Sequence, residues 1–289
     1  MPASAPSATI LPRAKDLPPA PAHVWHWPEY GAELVGTATN VFVGLSAVTF
    51  NFAPDLLGAR LVPDASLRLW VTGLIFAGSG SLYTISPWGR LSGSHLNPSV
   101  TLAFAAAGKM HWHDTLGYVA AQFAGGILGA TLLTLAWGTH AAAVGGGATV
   151  PGPGYTAGAA FWAELAMTFA YLSAIFFFVS KHALLRWTPL MNWFVVAGLV
   201  WLCAGVSGTS LNPARSFGPA LVSGTWRAQW LYLVAPTIGA LLAAAAWQLA
   251  NARKLLTAKL YHVEWYRSIF RRLHVPCKEE GLHLQRTGA

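Results

Sequence analysis

Residues 92–98 read Ser-Gly-Ser-His-Leu-Asn-Pro, and residues 207–213 read Ser-Gly-Thr-Ser-Leu-Asn-Pro. Each stretch ends in an Asn-Pro pair, a helix-start signal in which asparagine caps the first turn and proline sits inside it. Each opens a short apolar piece, Leu96 to Ala107 and Leu211 to Val222, only about half a membrane long. Apolar pieces of 10–14 residues suit re-entrant segments better than full crossings. The pair therefore predicts two half-helices that dip into a bilayer and stop.

The rest of the chain supplies the bilayer. Of 289 residues, 54% are hydrophobic and 10% charged, against about a quarter charged in an ordinary soluble domain. From Asp114 to Ala163 the only charge is Asp114, and Leu190 to Ala214 has none. Uncharged runs of about 20 residues cross a hydrocarbon core roughly 30 Å thick. Spans are expected near 31–53, 66–87, 115–138, 159–180, 189–208 and 229–250. The fold class is thus an all-α membrane protein, with six transmembrane helices plus two re-entrant half-helices. Residues 1–28, rich in Ala and Pro, are expected to be a disordered lead-in without a signal peptide. Residues 29–251 form the membrane domain and 252–289 a basic tail. Fourteen of the 18 Lys and Arg fall on the side of the termini and four on the other. The positive-inside rule then makes both termini cytoplasmic, with the plasma membrane as the expected location.

The chain also matches itself at three places in the same order. Ala32-Glu33-Leu34 with Thr37 recurs as Ala163-Glu164-Leu165 with Thr168. The two quoted stretches form the second match, and Tyr118, Ala121 and Gly125 recur as Tyr232, Ala235 and Gly239. Three spans per copy is an odd number, so the second copy enters from the opposite face. The result is an inverted 3+3 repeat, in which the half-helices meet near the midplane with their N-termini facing.

That geometry has electrostatic consequences. Each helix N-terminus carries about half a positive charge. Two meeting at mid-membrane repel cations, which already pay tens of kcal/mol in a medium of low dielectric. Neutral molecules escape this penalty. Asn97 and Asn212 can cap their helices through the side-chain oxygen, leaving the amide NH₂ as a donor toward the lumen. The irregular backbone before each asparagine can offer carbonyl acceptors, and is tolerated at such depth only where buried or lining a cavity. Arg215 adds positive charge and fixed donors beside the second motif. Glu33 and Glu164, lone charges of their spans, are expected to accept backbone N–H bonds from the re-entrant loops rather than to relay protons. His95 is expected to support its loop.

With these motifs in hand, the sequence resembles the major intrinsic protein family, the aquaporins and glycerol facilitators, over roughly residues 30 to 250. The carrying motifs are Ser-Gly-Ser-His-Leu-Asn-Pro-Ser at 92–99 and Ser-Gly-Thr-Ser-Leu-Asn-Pro-Ala-Arg-Ser at 207–216. The resemblance implies a tetramer with one pore per subunit, centred on Asn97, Pro98, Ser99, Asn212, Pro213 and Ala214. Ser99 departs from the alanine usual there by one hydroxyl. The resemblance also implies a four-residue selectivity filter: Arg215, Thr209, Val200, and Ala77 with Phe76 as the alternative register. Ala, Val and Thr with Arg make a wide, apolar constriction, and diameter and lining donors set selectivity. Ser216 and Ala220 match the water-channel pattern instead.

The expected function is passive permeation of water, with other small neutral solutes and without protons or ions. The alternatives are a broader facilitator for glycerol, urea, peroxide or a neutral metalloid acid, a pore-closed architectural protein, and an ion-coupled transporter. No catalytic constellation, metal spacing or cofactor motif is visible, so no enzyme, metal or cofactor is expected. Membrane lipid is an expected partner and nucleic acid is not, since no basic face interleaves with aromatics. The weaker signals read blandly. His111 and His113 read as solvated surface and Gly145 to Gly158 as a flexible outer loop. Cys203 and Cys277 form no framework. Leu256, Leu260, Val263, Tyr266, Phe270 and Leu273 recur at helical spacing, as in a basic amphipathic helix on the inner leaflet or one packed on the channel's own cytoplasmic face.

Overall fold

The computed structural model describes residues 25–250 and 255–261. The expectations for residues 1–24, 251–254 and 262–289, including Cys277 and the outer part of the tail, lie outside these. Among the described residues there are six helices of 20 residues or more. In chain order they are α1 (Trp27–Phe52), α3 (Ala65–Ile85), α6 (Trp112–Trp137), α8 (Ala157–Val179), α10 (Thr188–Ser207) and α12 (Gln229–Leu249). Between them lie the short α2 (Leu57–Leu61), α4 (Pro87–Ser92), α7 (Thr139–Ala143) and α9 (His182–Leu185). The two half-helices are α5 (Pro98–Ala106, 9 residues) and α11 (Pro213–Ser223, 11 residues).

Five of the long helices are both long and apolar enough to cross a membrane by composition. The sixth, α3, is long enough but carries Arg68, Thr72, Ser79, Ser81 and Thr84, and Thr72, Ser79 and Ser81 find polar partners in Asn51, Asn40 and Asn192 of neighbouring elements.

Local chemistry explains several boundaries. Asp64 and Thr156 cap α3 and α8, accepting from Leu67 N–H at 2.7 Å and Ala159 N–H at 3.1 Å. Side-chain caps of this kind satisfy N–H groups that have no intrahelical partner. The first span begins earlier than expected. Pro28, expected in a disordered lead-in, instead stands in the first turn of α1, where its missing N–H costs nothing.

The repeat is visible in the packing. A Cβ on Gly125 of α6 would lie 2.5 Å from Leu34 O of α1, and one on Gly239 of α12 would lie 2.4 Å from Leu165 O of α8. Each copy thus crosses its first and third spans at backbone contact, at matched positions. The start of α1 and residues 255–261 lie at one end of the bundle, called here the near mouth, and the other end is the far mouth.

Candidate functional site

The two re-entrant loops share one unusual backbone pattern. Gly93, Ser94 and Leu96 have φ of 88°, 55° and 50°, and Gly208, Thr209 and Leu211 have 80°, 46° and 55°. Non-glycine residues at positive φ cost about 1–3 kcal/mol each and persist only where the surroundings impose them. Here buried carboxylates impose them. Glu33 accepts from His95 N–H (3.0 Å), Leu96 N–H (2.6 Å) and Gln122 Nε2 (2.7 Å). Glu164 accepts from Ser210 N–H and Ser207 Oγ (both 2.7 Å) and from Leu211 N–H (2.9 Å). The third spans brace the loops from the other side: Tyr118 Oη donates to Ser92 O and Tyr232 Oη to Ser207 O, each at 2.7 Å.

Each loop ends at its capping asparagine. Asn97 Oδ1 accepts from Ser99 N–H at 2.8 Å, and Asn212 Oδ1 from Ala214 N–H at 3.0 Å and Arg215 N–H at 3.3 Å. The amide nitrogens cross over. Asn97 Nδ2 donates to Leu211 O and Asn212 Nδ2 to Leu96 O, both at 2.8 Å. The half-helices therefore meet tip to tip and are locked by a reciprocal pair of bonds. Simple capping predicts a wholly lumen-facing NH₂. Instead, one of its two hydrogens goes to the opposite loop and one remains for the lumen. Pro98, Ser99, Pro213 and Ala214 are buried in the first turns behind the asparagines.

A cavity of about 80 Å³ runs past both asparagines, room for several water molecules at roughly 10–15 Å³ each on this measure. Its wall includes Ala77, Val200, Thr209 and Arg215, so the four positions inferred from the sequence come together. Phe76 is there too, with the Arg215 guanidinium 5.3 Å from the centre of its ring. Both candidates for the second-span position, Ala77 and Phe76, line the wall. Arg215 is 6% exposed and donates from Nη1 to Gly147 O at 3.0 Å.

That last bond corrects the reading of residues 145–158 as a flexible loop. Gly146, Gly147, Thr149, Pro151 and Gly152 are buried. Thr149 Oγ1 donates to Ser216 Oγ (2.7 Å), Gln229 Nε2 to Thr149 O (2.6 Å), and Gly152 N–H to Val206 O (3.0 Å). Glycines at positive φ let this backbone turn its carbonyls onto Arg215 and Gln229.

His95 is 3% exposed, stacks on Phe104 with centroids 4.9 Å apart, and has Nδ1 3.1 Å from Thr101 Oγ1. His113 is likewise buried, contrary to the solvated reading, while His111 is exposed. His113 and His26 both approach Asp114, at 3.5 and 2.7 Å, and Tyr30 Oη donates to the same carboxylate at 2.6 Å. This cluster ties the start of α6 to the start of α1. The surface reading failed because the partners arrive from α1.

Sequence reasoning also missed Asn40, Tyr171, Asn192 and Leu260 in the wall. The first three were findable as polar groups inside apolar spans. Ser79 Oγ donates to Asn40 Oδ1 (2.8 Å), Asn192 Nδ2 donates to Ser81 Oγ (3.0 Å), and Tyr171 Oη donates to Asn192 Oδ1. Leu260 gave no such signal. Residues 255–261 are not helical, against the helical spacing of Leu256 and Leu260. Their N–H groups donate to Val179 O and Gly93 O, both at 3.0 Å, so no turn of helix forms there.

A narrow lumen inside a single chain, centred between facing half-helices of an inverted repeat, defines the class as an integral, multi-pass membrane channel. The comparisons with known proteins give the family. The model of the major intrinsic protein family matches residues 22–247, and the chain belongs to that family. It is 35% identical over 237 residues to aquaporin AqpM of Methanothermobacter marburgensis, covering 75% of this chain and 94% of that protein. It is 30% identical over 261 residues to aquaporin NIP3-1 of Oryza sativa subsp. japonica, covering 84% and 80%. Among solved structures, the aquaglyceroporin from Plasmodium falciparum shares the fold with a TM-score of 0.64 at 21% identity, over 77% of this chain and 96% of that one.

Proposed function

We propose that the protein is a passive channel for water that also admits small neutral solutes and excludes protons and ions. The observation that carries this reading is the reciprocal lock of Asn97 and Asn212, which holds two helix N-termini against the lumen. Each asparagine keeps one N–H for a passing molecule. A water accepting from both turns its oxygen to the centre and its hydrogens outward, so it cannot hand a proton across. The facing positive ends of α5 and α11, with Arg215 beyond them, make the same point costly for a cation. Glu33 and Glu164 act as loop braces, since every polar contact given above is spent on a loop or its supports.

The constriction at the far mouth consists of Phe76, Ala77, Val200, Thr209 and Arg215. Phe76 against Arg215 narrows what the four inferred residues alone leave wide, which favours water over glycerol. The small Ala77 and Val200 support the second reading, a broader facilitator. The termini are taken as cytoplasmic from the distribution of Lys and Arg, the membrane as the plasma membrane, and the assembly as a homotetramer on family resemblance. The test is stopped-flow light scattering on proteoliposomes, under water and then glycerol gradients. Swelling no faster than empty vesicles, both in the wild type and in variants that widen the lumen, overturns the channel reading. Glycerol flux comparable to water flux replaces the first reading with the second.

A further inference from the structure

After α12 the chain returns to the near mouth as a strap, Leu255–Tyr261. Backbone bonds hold it at both ends: Leu256 N–H to Val179 O and Leu260 N–H to Gly93 O. Between them, Lys259 Nζ donates to Arg90 O at 2.7 Å and Leu91 O at 3.1 Å, and Ala258 O lies 2.6 Å from His95 Nε2. The Arg90 guanidinium sits 5.2 Å from the centre of the Tyr261 ring. Leu255 and Leu260 are each 3% exposed, in one apolar cluster with Val100, Phe104, Ile175 and Val179.

Leu260 also belongs to the wall of the lumen itself. Among the described residues, every other wall residue comes from the two repeats, and Leu260 comes from outside them. The inverted symmetry shows what position the strap fills. A Cβ on Gly208 would meet Thr149 of the far-mouth loop at 3.5 Å, and one on the matching Gly93 would meet Lys259 at 2.8 Å. The strap therefore stands at the near mouth where residues 145–152 stand at the far mouth. The far loop is tethered by a span on each side; the strap, among the described residues, follows only α12.

We propose that the strap is a gate on the near mouth, with Leu260 as the plug that sets the permeation rate and Lys259 as the latch. The proposal rests on the channel reading above. An apolar side chain at a constriction closes it by excluding water from the narrowest point. Removing such a plug from a preformed lumen leaves the Asn97–Asn212 centre untouched, because the side chains of both asparagines bond to the loops and half-helices and not to the strap. Docking is also balanced against release. Burial of Leu255 and Leu260 favours it, while burial of the Lys259 ammonium opposes it. That burial holds the ammonium at about 8, below the usual lysine range, with Glu29 pulling the other way. A buried charge that costs free energy makes a latch that can open.

The experiment compares water permeability per subunit in proteoliposomes for the full chain and for Leu260→Ala, Lys259→Ala and Leu260→Trp. Loss of the plug or of the latch is expected to raise permeability several-fold, and the tryptophan to lower it. Hydrogen exchange on the wild type gives a second reading that no variant's folding can confuse. The Leu256 and Leu260 amides are expected to exchange slowly, and quickly in Lys259→Ala. A conducting wild type with permeability equal in all three variants overturns the gate and leaves the channel standing. So does complete exchange of residues 255–261 in the wild type. A wild type that is silent while Leu260→Ala conducts supports the gate, and silence in wild type and both release variants overturns gate and channel together.

Discussion

Glu164→Gln separates a carboxylate that braces a loop from one that relays protons. In the wild type two backbone N–H groups and one hydroxyl converge on its two oxygens, from Ser210, Leu211 and Ser207. A carboxylate is all acceptor, whereas a glutamine presents one oxygen and one NH₂. Whichever way the amide turns, its NH₂ faces the N–H of Ser210 or of Leu211. One buried donor is then stranded, at about 1–3 kcal/mol, and the surviving bonds fall from charge-assisted to neutral strength, at about 1 kcal/mol each. The expected destabilisation is about 3–5 kcal/mol, a large share of the roughly 5–15 kcal/mol typical of a folded domain. The assay is the apparent melting temperature of detergent-solubilised protein, with swelling rates measured in parallel. The melting temperature should fall by on the order of 10 °C, and swelling should fall with it, because Leu211 O holds Asn97. Glu33→Gln should behave alike, since it too serves two loop N–H groups. Wild-type melting in both variants, with swelling altered only in its response to a proton gradient, would refute the bracing argument.

Three further outcomes follow from the same geometry. Arg215→Val should keep water flow largely intact while raising proton or cation leak, read with a pH-sensitive dye; an unchanged leak counts against the role given to Arg215. Phe76→Ala should raise glycerol flux proportionally more than water flux, since it opens the wall opposite Arg215, whereas Ala77→Phe should suppress glycerol more than water. Gly239→Ala should lower the melting temperature strongly, because its Cβ would sit 2.4 Å from Leu165 O and backbone cannot step aside as a side chain can; wild-type melting would mean that α8 and α12 do not cross at backbone contact.

Much of this was legible because the controlling interactions are written locally or twice. Long uncharged runs announce the spans. The half-helices show as Asn-Pro followed by too few apolar residues, and the repeat pairs Glu33 with Glu164 and Tyr118 with Tyr232 in the sequence itself. What was illegible depends on partners far along the chain. Residues 145–152 look flexible in glycine content alone, and are held only because Arg215 and Gln229 bond to their carbonyls and Ser216 to the Thr149 side chain. His113 reads as surface until His26 and Tyr30 arrive beside Asp114. Leu256 and Leu260 keep helical spacing, yet their N–H groups find carbonyls on Val179 and Gly93, and a strap forms where a helix was expected. Spacing also made Phe76 and Ala77 rivals, because it assigns one residue per position, whereas adjacent residues of a helix can both edge a narrow lumen.

The central claim is that facing half-helices let neutral molecules pass and stop charge at one point. Vesicles loaded with a pH-sensitive dye, carrying the purified full chain, allow swelling and proton entry to be followed in the same shot. The account predicts swelling well above that of empty vesicles with proton entry indistinguishable from theirs. Proton entry that rises in step with swelling would contradict it.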